Sequence, residues 1–300
     1  MIALTILGNN SATPTHLRNP TAQVLQWQEE SYLIDCGEGT QKQMMLHKIK
    51  RSRISRVFIS HLHGDHYFGL IGLITSLGLQ GRTQPLYIHA PAELESIINL
   101  QLQVASAHLP YTLHFCALQQ EGVIVDDNKM SVTAFAVQHR IPCWGFLFKQ
   151  KKHPRKLLPE AARAHQIPAS FYERLQQGED YTTKEGKVVA NDWVTTAAAP
   201  AKSYAYCADT IFDESLAEKV KGVSLLYHET TYLHELAERA AARFHSTTVQ
   251  AATIAQLAGA QRLLIGHFSS KYDTLDAFLE EASAIFPYTE LALEGACYLV

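Results

Sequence analysis

Ser60-His61-Leu62-His63-Gly64-Asp65-His66 follows directly on the apolar run Arg56-Val57-Phe58-Ile59. A strand that ends in a tight loop can aim His61 and His63 to one side, because alternate residues share a face. Asp65 and His66 then fall at the turn into the next helix and can face a second point. Imidazole and carboxylate are what Zn2+ takes at ~2.0–2.2 Å, and the stretch offers four such groups within six residues. Four residues cannot close two metal sites, so partners must come from elsewhere. An apolar run ending in His or Asp recurs three times: Val132 to His139, Tyr204 to Asp209, and Leu263 to His267. Strand ends on one edge of a layered sheet are where such groups can converge on a rigid scaffold.

Outward from that motif, short β-branched or apolar runs bounded by Gly, Pro, Asn or Asp predict strands. They cover 2–7, 23–27, 31–36, 57–60, 86–89, 130–137, 144–148, 203–207, 224–227, 262–265 and 290–293. Helical patterns fall at 40–48, 67–79, 92–104, 213–220, 246–257 and 273–285. Hairpin-like strands come first, then strand–helix alternation, and the second half repeats the theme. This order predicts an α/β layered domain, two mixed sheets face to face with helices outside.

The chain has 300 residues, 47% hydrophobic and 18% charged, with 26 Lys+Arg against 29 Asp+Glu. That composition excludes global disorder and supplies a sizeable core. With 16 Gly and 11 Pro and no sustained heptads, collagen-like and coiled-coil classes are excluded too. Five scattered cysteines without a CxxC pair indicate neither a disulfide framework nor a zinc finger. The start, MIALTILGNNSATPT, lacks a basic region and a cleavage site, and the run 67–79 is too short to span a bilayer. A soluble cytoplasmic protein is expected. The 15 histidines make metal chemistry worth pursuing.

Residues 149–195 break the pattern. They open on Lys149, Lys151, Lys152, His153, Pro154, Arg155 and Lys156, and carry two short helical patterns at 157–165 and 169–177. This stretch reads as an insertion projecting from a core made of 1–148 and 196–300. Basic residues also cluster at Lys48, Lys50, Arg51, Arg53 and Arg56.

Beyond His-x-His-x-Asp-His, the chain contains Asp35-Cys36-Gly37-Glu38-Gly39-Thr40-Gln41, His228-Glu229-Thr230-Thr231, His245-Ser246-Thr247 and Gly266-His267-Phe268-Ser269-Ser270-Lys271-Tyr272. With these motifs it resembles the metallo-β-lactamase superfamily nearly end to end, and within it the short-form tRNA 3′-processing endonucleases, the ribonuclease Z family. The resemblance implies a four-layer αβ/βα sandwich with an inserted helical arm. It implies that His61, His63 and His139 hold one zinc, that Asp65, His66 and His267 hold the other, and that Asp209 bridges them. Mn2+ or Fe2+ can fill N/O ligand sets as well. Two metals suit in-line displacement at phosphorus. Asp65 is then the proton acceptor for the attacking water. Glu229 orients His245 as general acid for the leaving 3′-oxygen, and Asp35 backs a ligand histidine.

The loop Gly8 to Asn19 looks like the family's substrate loop, with Arg18 and Asn19 as contacts to the acceptor end. His16 stands where the family signature has Lys. Pro168-Ala169-Ser170 replaces the usual Gly-Pro of the arm, and Lys271 replaces Arg. Lys151, Lys152, Arg155 and Lys156 are expected to grip the elbow of tRNA by shape and phosphates. The partners implied are precursor tRNA and a second copy of the chain, with no membrane and no DNA. The activity implied is removal of 3′ trailers, leaving a 3′-hydroxyl on the tRNA and a 5′-phosphate on the trailer. Two other readings compete. One is a hydrolase of the same superfamily acting on a thioester, lactone or small phosphodiester, which needs neither the arm nor the Glu229/His245 pair. The other is an inactive RNA-binding scaffold, which predicts broken ligand sets.

Overall fold

A computed structural model describes residues 2–151, 154–198 and 200–300. The chain divides into two compact units: Met1–Asp126 with Ser131–Phe148 and Lys202–Val300, and Asp127–Met130 with Lys149–Ala201.

The first unit is built on two seven-stranded sheets. Its early strands are β1 (Ile2–Gly8), β2 (Ala22–Trp27), β3 (Glu30–Cys36), β4 (Ile54–Phe58), β5 (Leu86–Ala90) and β6 (Leu113–Ala117). With Cys297–Leu299 at one edge, the first sheet runs Cys297–Leu299, β1, β2, β3, β4, β5, β6. The pairings around β1 and β2 are antiparallel, and β3 through β6 are parallel. The second sheet begins with β7 (Gly122–Asp126), β8 (Met130–Val137) and β9 (Cys143–Gln150). Beyond β9 lie Ser203–Cys207, Leu225–Glu229, Leu263–Gly266 and Thr289–Leu291, all parallel.

The sheets meet through aromatic side chains. Tyr32 of β3 and Phe58 of β4 contact Phe148 of β9 with ring centroids 6.2 and 5.2 Å apart, and Phe148 stacks in turn on Tyr204. All four are buried. The outer face of the first sheet packs Leu33, Val57 and Ile88 against Leu70, Leu73, Leu94 and Ile98 of its helices. Helix, sheet, sheet and helix therefore form the four layers that the strand and helix patterns predicted. Among the described residues no helix is long and apolar enough to cross a membrane.

Three local differences from the sequence reading stand out, and two of them have physical causes in the structure. The helix expected over 67–79 is broken into Gly64–Tyr67 and Leu70–Leu79. Gly69 sits at the break because its amide donates to the Cys36 carbonyl at 2.9 Å, and a Cβ there would lie 2.2 Å from the Gly37 carbonyl oxygen. The strands β6, β7 and Cys297–Leu299 were missed because they are half-exposed edges whose apolar runs are short. The helix expected over 213–220 shrinks to Leu216–Lys219.

The second unit has a small core of its own: Ala162, Ile167, Leu175, Val189 and Val194. The helices Pro159–Ala164 and Tyr172–Gln176 occupy the two helical patterns, shorter than expected. Two-residue ladders pair Lys156 with Thr196 and Tyr181 with Val189. Asn191 ties these pieces together by donating to the carbonyls of Leu175 and Glu179, 2.8 Å each.

Candidate metal centre

Parallel strands present their carboxyl ends along one edge, which is where open α/β sheets place ligands. Here β4 leads to His61–His66, Ser203–Cys207 to Asp209, Leu225–Glu229 ends on Glu229, and Leu263–Gly266 leads to His267. His139 follows β8.

The structure brings the ligand candidates together in two groups. In the first, His61 Nε2 and His139 Nε2 lie 3.0 and 3.2 Å from His63 Nδ1. In the second, His66 Nε2 and His267 Nε2 lie 3.5 and 3.6 Å from Asp65 Oδ2. Asp209 stands between them. Its Oδ2 faces His61 and His139 at 3.7 and 3.9 Å. Its Oδ1 faces His66 and His267 at 3.5 and 3.1 Å. His61, His66, Asp209 and His267 are buried, as is the side chain of His139, whereas His63 and Asp65 line the opening.

This donor set fits divalent cations. His66 Nε2, His267 Nε2 and Asp209 Oδ1 are buried without a hydrogen-bond partner. Native proteins rarely leave such atoms unpaired, and three converging on one point ask for a cation. Burial together with His139 lowers the His63 pKa to about 4. Burial alone would raise the Asp65 carboxyl, but His66 and His267 hold it below the usual carboxylate range. Burial alone would lower His66 too, but Asp209, Asp65 and Asp35 raise it well above the ordinary imidazole value, so a cation taken up here displaces its proton, while Asp65 is already ionised.

Behind these groups, Asp35 accepts from His66 Nδ1 at 2.8 Å, from the Tyr206 hydroxyl at 2.6 Å and from the Ser60 hydroxyl at 2.9 Å. Asp35 reaches this position because it is the unpaired residue of a bulge: Ala22 pairs with Cys36 and Gln23 with Ile34. Its φ of 55° belongs to that bulge. His139 Nδ1 donates instead to the Phe244 carbonyl at 2.8 Å.

The pair Glu229 and His245 is formed as well, His245 Nδ1 lying 2.9 Å from Glu229 Oε1. Burial lowers the His245 pKa, but the adjacent Glu229 carboxylate outweighs it and raises it to about 9. His245 is not a capping residue. Thr247 caps the helix Thr248–Ala258 in a reciprocal box with Gln250.

These groups open into a cavity of about 440 Å³ lined by Ala12, Glu38, His63, Asp65, Arg140 and His245 among others. Arg140 escaped the sequence reading, although it follows His139 directly in the same loop. It forms no ion pair among the described residues. A second cavity of about 370 Å³ in the same unit is lined by His16, Arg18, Tyr272 and Asp273 among others.

The substrate-contact candidates are hydrogen-bonded within the protein. The Arg18 guanidinium donates to the carbonyls of Ser269 and Tyr272 at 3.2 and 2.7 Å. Asn19 Nδ2 donates to Glu294 at 2.8 Å. Both side chains are thus engaged within the protein, because an extended loop needs partners for its own polar groups. Arg155 is ion-paired with Asp192 and donates to Thr195 Oγ1 at 2.8 Å. Lys156 is exposed and Lys151 half-buried, and Lys152 lies outside the described residues.

A family model described as "Anti-Pycsar protein Apyc1" matches residues 2–151. That half carries His61–His66 and His139 but stops short of Asp209, Glu229, His245 and His267. Whole-chain likeness goes further. A ribonuclease Z of Bacteroides fragilis strain YCH46 is 44% identical over 296 residues, 98% of this chain and 97% of the relative. A ribonuclease Z of Cytophaga hutchinsonii is 43% identical over 304 residues, 99% of this chain and 96% of the relative. Among solved structures, human tRNase Z, short form, superposes with a TM-score of 0.72 at 26% identity, covering 99% of this chain and 98% of that one. The metallo-β-lactamase fold protein YhfI of Bacillus subtilis, 18% identical with a TM-score of 0.70 over 99% of this chain and 98% of its own, shares the fold.

Proposed function

The chain belongs to the ribonuclease Z family, and from that premise we propose that its His/Asp cluster takes up two zinc ions, one on each side of Asp209. The protein is a tRNA 3′-processing endonuclease, a metal-dependent hydrolase that removes 3′ trailers from precursor tRNA. The observation that carries the site assignment is Asp209, which offers one oxygen to each group of imidazoles.

In this reading His61, His63 and His139 hold one cation and Asp65, His66 and His267 the other, with Asp209 shared. When bound, such a pair supplies Lewis acidity that activates a water and offsets the charge developing on the phosphate. Asp65 is ionised at neutral pH and takes the water's proton on its carboxylate. His245 carries a proton at neutral pH, and with Nδ1 on Glu229 its Nε2 is the atom that protonates the leaving 3′-oxygen. Cleavage with that polarity leaves a 3′-hydroxyl on the tRNA and a 5′-phosphate on the trailer. Asp35 holds His66 from behind. Arg18 and Asn19 fix the loop over which the acceptor end passes.

The unit containing 149–201 is the arm that grips the tRNA elbow, through Lys151, Lys152, Arg155 and Lys156 and the exposed Trp193, which stacks on His165 with centroids 6.0 Å apart. Exposed Met45 and Leu46 at the end of the helix Thr40–Leu46 support a homodimer. Five free cysteines accord with a cytoplasmic setting.

The test uses purified protein, end-labelled precursor tRNA, and Zn2+ or Mn2+ in turn, with a thioester substrate and an Asp65→Ala variant alongside. One cut at the 3′ side leaving a 3′-hydroxyl, absent from the variant and from chelated protein, is the expected result. Intact tRNA with thioester turnover would overturn the reading, as would undiminished cleavage by the variant.

A further inference from the structure

Glu229 is fully buried and serves more than His245. Its Oε1 accepts from His245 Nδ1 and from the amides of Thr210 and Ser246, at 2.9, 3.1 and 3.0 Å. Its Oε2 accepts from the Thr231 amide at 2.9 Å and from the Thr231 hydroxyl at 2.8 Å. That hydroxyl also lies 3.0 Å from His267 Nδ1.

The proton count decides what this contact is. A threonine hydroxyl donates one proton and otherwise only accepts. With its proton directed at Glu229 Oε2, Thr231 Oγ1 accepts from His267 Nδ1–H. The neutral ring then carries its bare lone pair on Nε2, the buried atom that has no hydrogen-bond partner and lies 3.1 Å from Asp209 Oδ1. His245 Nδ1 is also 3.1 Å from the hydroxyl but has Glu229 Oε1 nearer, at 2.9 Å.

Asp35, another buried carboxylate, repeats the arrangement. Asp35 Oδ2 accepts from His66 Nδ1 directly and from the Ser60 hydroxyl, and Ser60 Oγ lies 3.0 Å from His61 Nδ1. Each carboxylate thus holds one imidazole itself and a second through a hydroxyl.

We propose that Thr231 is a positioning residue that ties His267 to Glu229, so that one carboxylate orients both the proton-donating imidazole and an imidazole of the metal centre. Ser60 does the same for His61 from Asp35. The assignment rests on the metal-centre reading above and adds what sets the tautomer of two of its ligands.

The experiment compares Thr231→Val, which keeps the shape and loses the hydroxyl, with Thr231→Ser, which keeps the hydroxyl. Zinc affinity is measured by competition with a chromophoric chelator, the Co2+-loaded absorption spectrum is recorded, and thermal unfolding is followed with and without metal. The valine variant is expected to bind one of two zinc equivalents ~10- to 100-fold more weakly, the range seen when such supporting groups are removed. Its Co2+ spectrum shifts, its metal-free unfolding temperature stays near that of the parent, and the serine variant restores both readouts. Parent-like zinc affinity in the valine variant overturns the assignment of Thr231 alone, as does equal weakening in the serine variant. A parent protein that takes up no zinc overturns the metal centre and this assignment with it. If the valine variant does not fold, Thr231→Ala removes the same hydroxyl from a smaller side chain and is read in the same way.

Discussion

The backbone amide of Ala12 donates to Asp65 Oδ2 at 2.8 Å. The loop that begins at Gly8 therefore ends up as a wall of the catalytic cavity and a partner of its proposed proton acceptor. The loop is pinned at its base, where Ser11 N reaches the Phe268 carbonyl at 2.9 Å and Asn10 N the Asn19 carbonyl at 3.0 Å. Ala12 itself sits at φ 62° to present its N–H.

This geometry separates two substitutions at one position. Ala12→Gly relaxes a left-handed backbone at a cost or gain of about 1 kcal/mol and leaves tRNA cleavage intact. Ala12→Pro removes the N–H and cannot adopt a positive φ. A hydrogen bond to a charged group is worth about 1.5–3 kcal/mol, so kcat should fall roughly 10- to 100-fold. Steady-state kinetics on precursor tRNA check this, and equal activity in both variants would remove the Ala12 amide from the mechanism.

Arg140 faces the same cavity as Asp65 and His245, with no ion-pair partner among the described residues. Its guanidinium matches a substrate phosphate in charge and fork geometry. Arg140→Ala should raise KM and flatten the slope of log(kcat/KM) against log salt by about one phosphate contact, 0.7–0.9. Arg140→Lys should recover the slope but not the full affinity. A salt slope unchanged in the alanine variant would deny the contact.

Replacing residues 151–200 with a Gly/Ser linker tests the arm. Cleavage of precursor tRNA should be lost while hydrolysis of a small phosphodiester continues, because the proposed ligands all lie in the other unit. Parallel loss of both in a folded, metal-loaded protein would show that the insertion serves the active site directly.

His89 gives a stability profile with a defined sign. It is buried and stacked on Phe58, centroids 4.8 Å apart. Burial, reinforced by Arg56, lowers its pKa from 6.5 to about 4. Below pH 6.5 the unfolded chain takes up a proton that the folded one refuses, so folding stability contributed here is full above pH 6.5 and declines until about pH 4. At ~1.4 kcal/mol per unit the decline totals roughly 3 kcal/mol. The difference between the parent and His89→Phe in denaturant titrations from pH 4 to 7 should trace that curve. A pH-independent difference would contradict it.

Short-range chemistry was legible in the chain. His61 through His66 occupy a strand end and one helical turn, and their spacing is set by local backbone geometry that any fold containing the motif must respect. The alternation of apolar runs with helical patterns foretold the layers for the same reason. Edge strands such as β6 were not legible, since half-exposed residues carry little periodic signal. Arg140 was passed over because a single exposed cation has no pattern at all.

Which atoms meet was decided by the tertiary structure. Asp209 presents one oxygen to each imidazole group only because strands from both sheets end on the same edge. Glu229 holds His245 directly and His267 through Thr231 because parallel strands and a helix start converge there. Arg18 and Asn19 turned inward to Tyr272 and Glu294 because loop polar groups find partners that no neighbour in sequence supplies. The sequence by itself determined the kinds of ligand, their local spacing and the layered fold. The folded chain alone determined which lone pair of each side chain faces which neighbour, because hydrogen bonds form at about 3 Å between residues far apart along the chain.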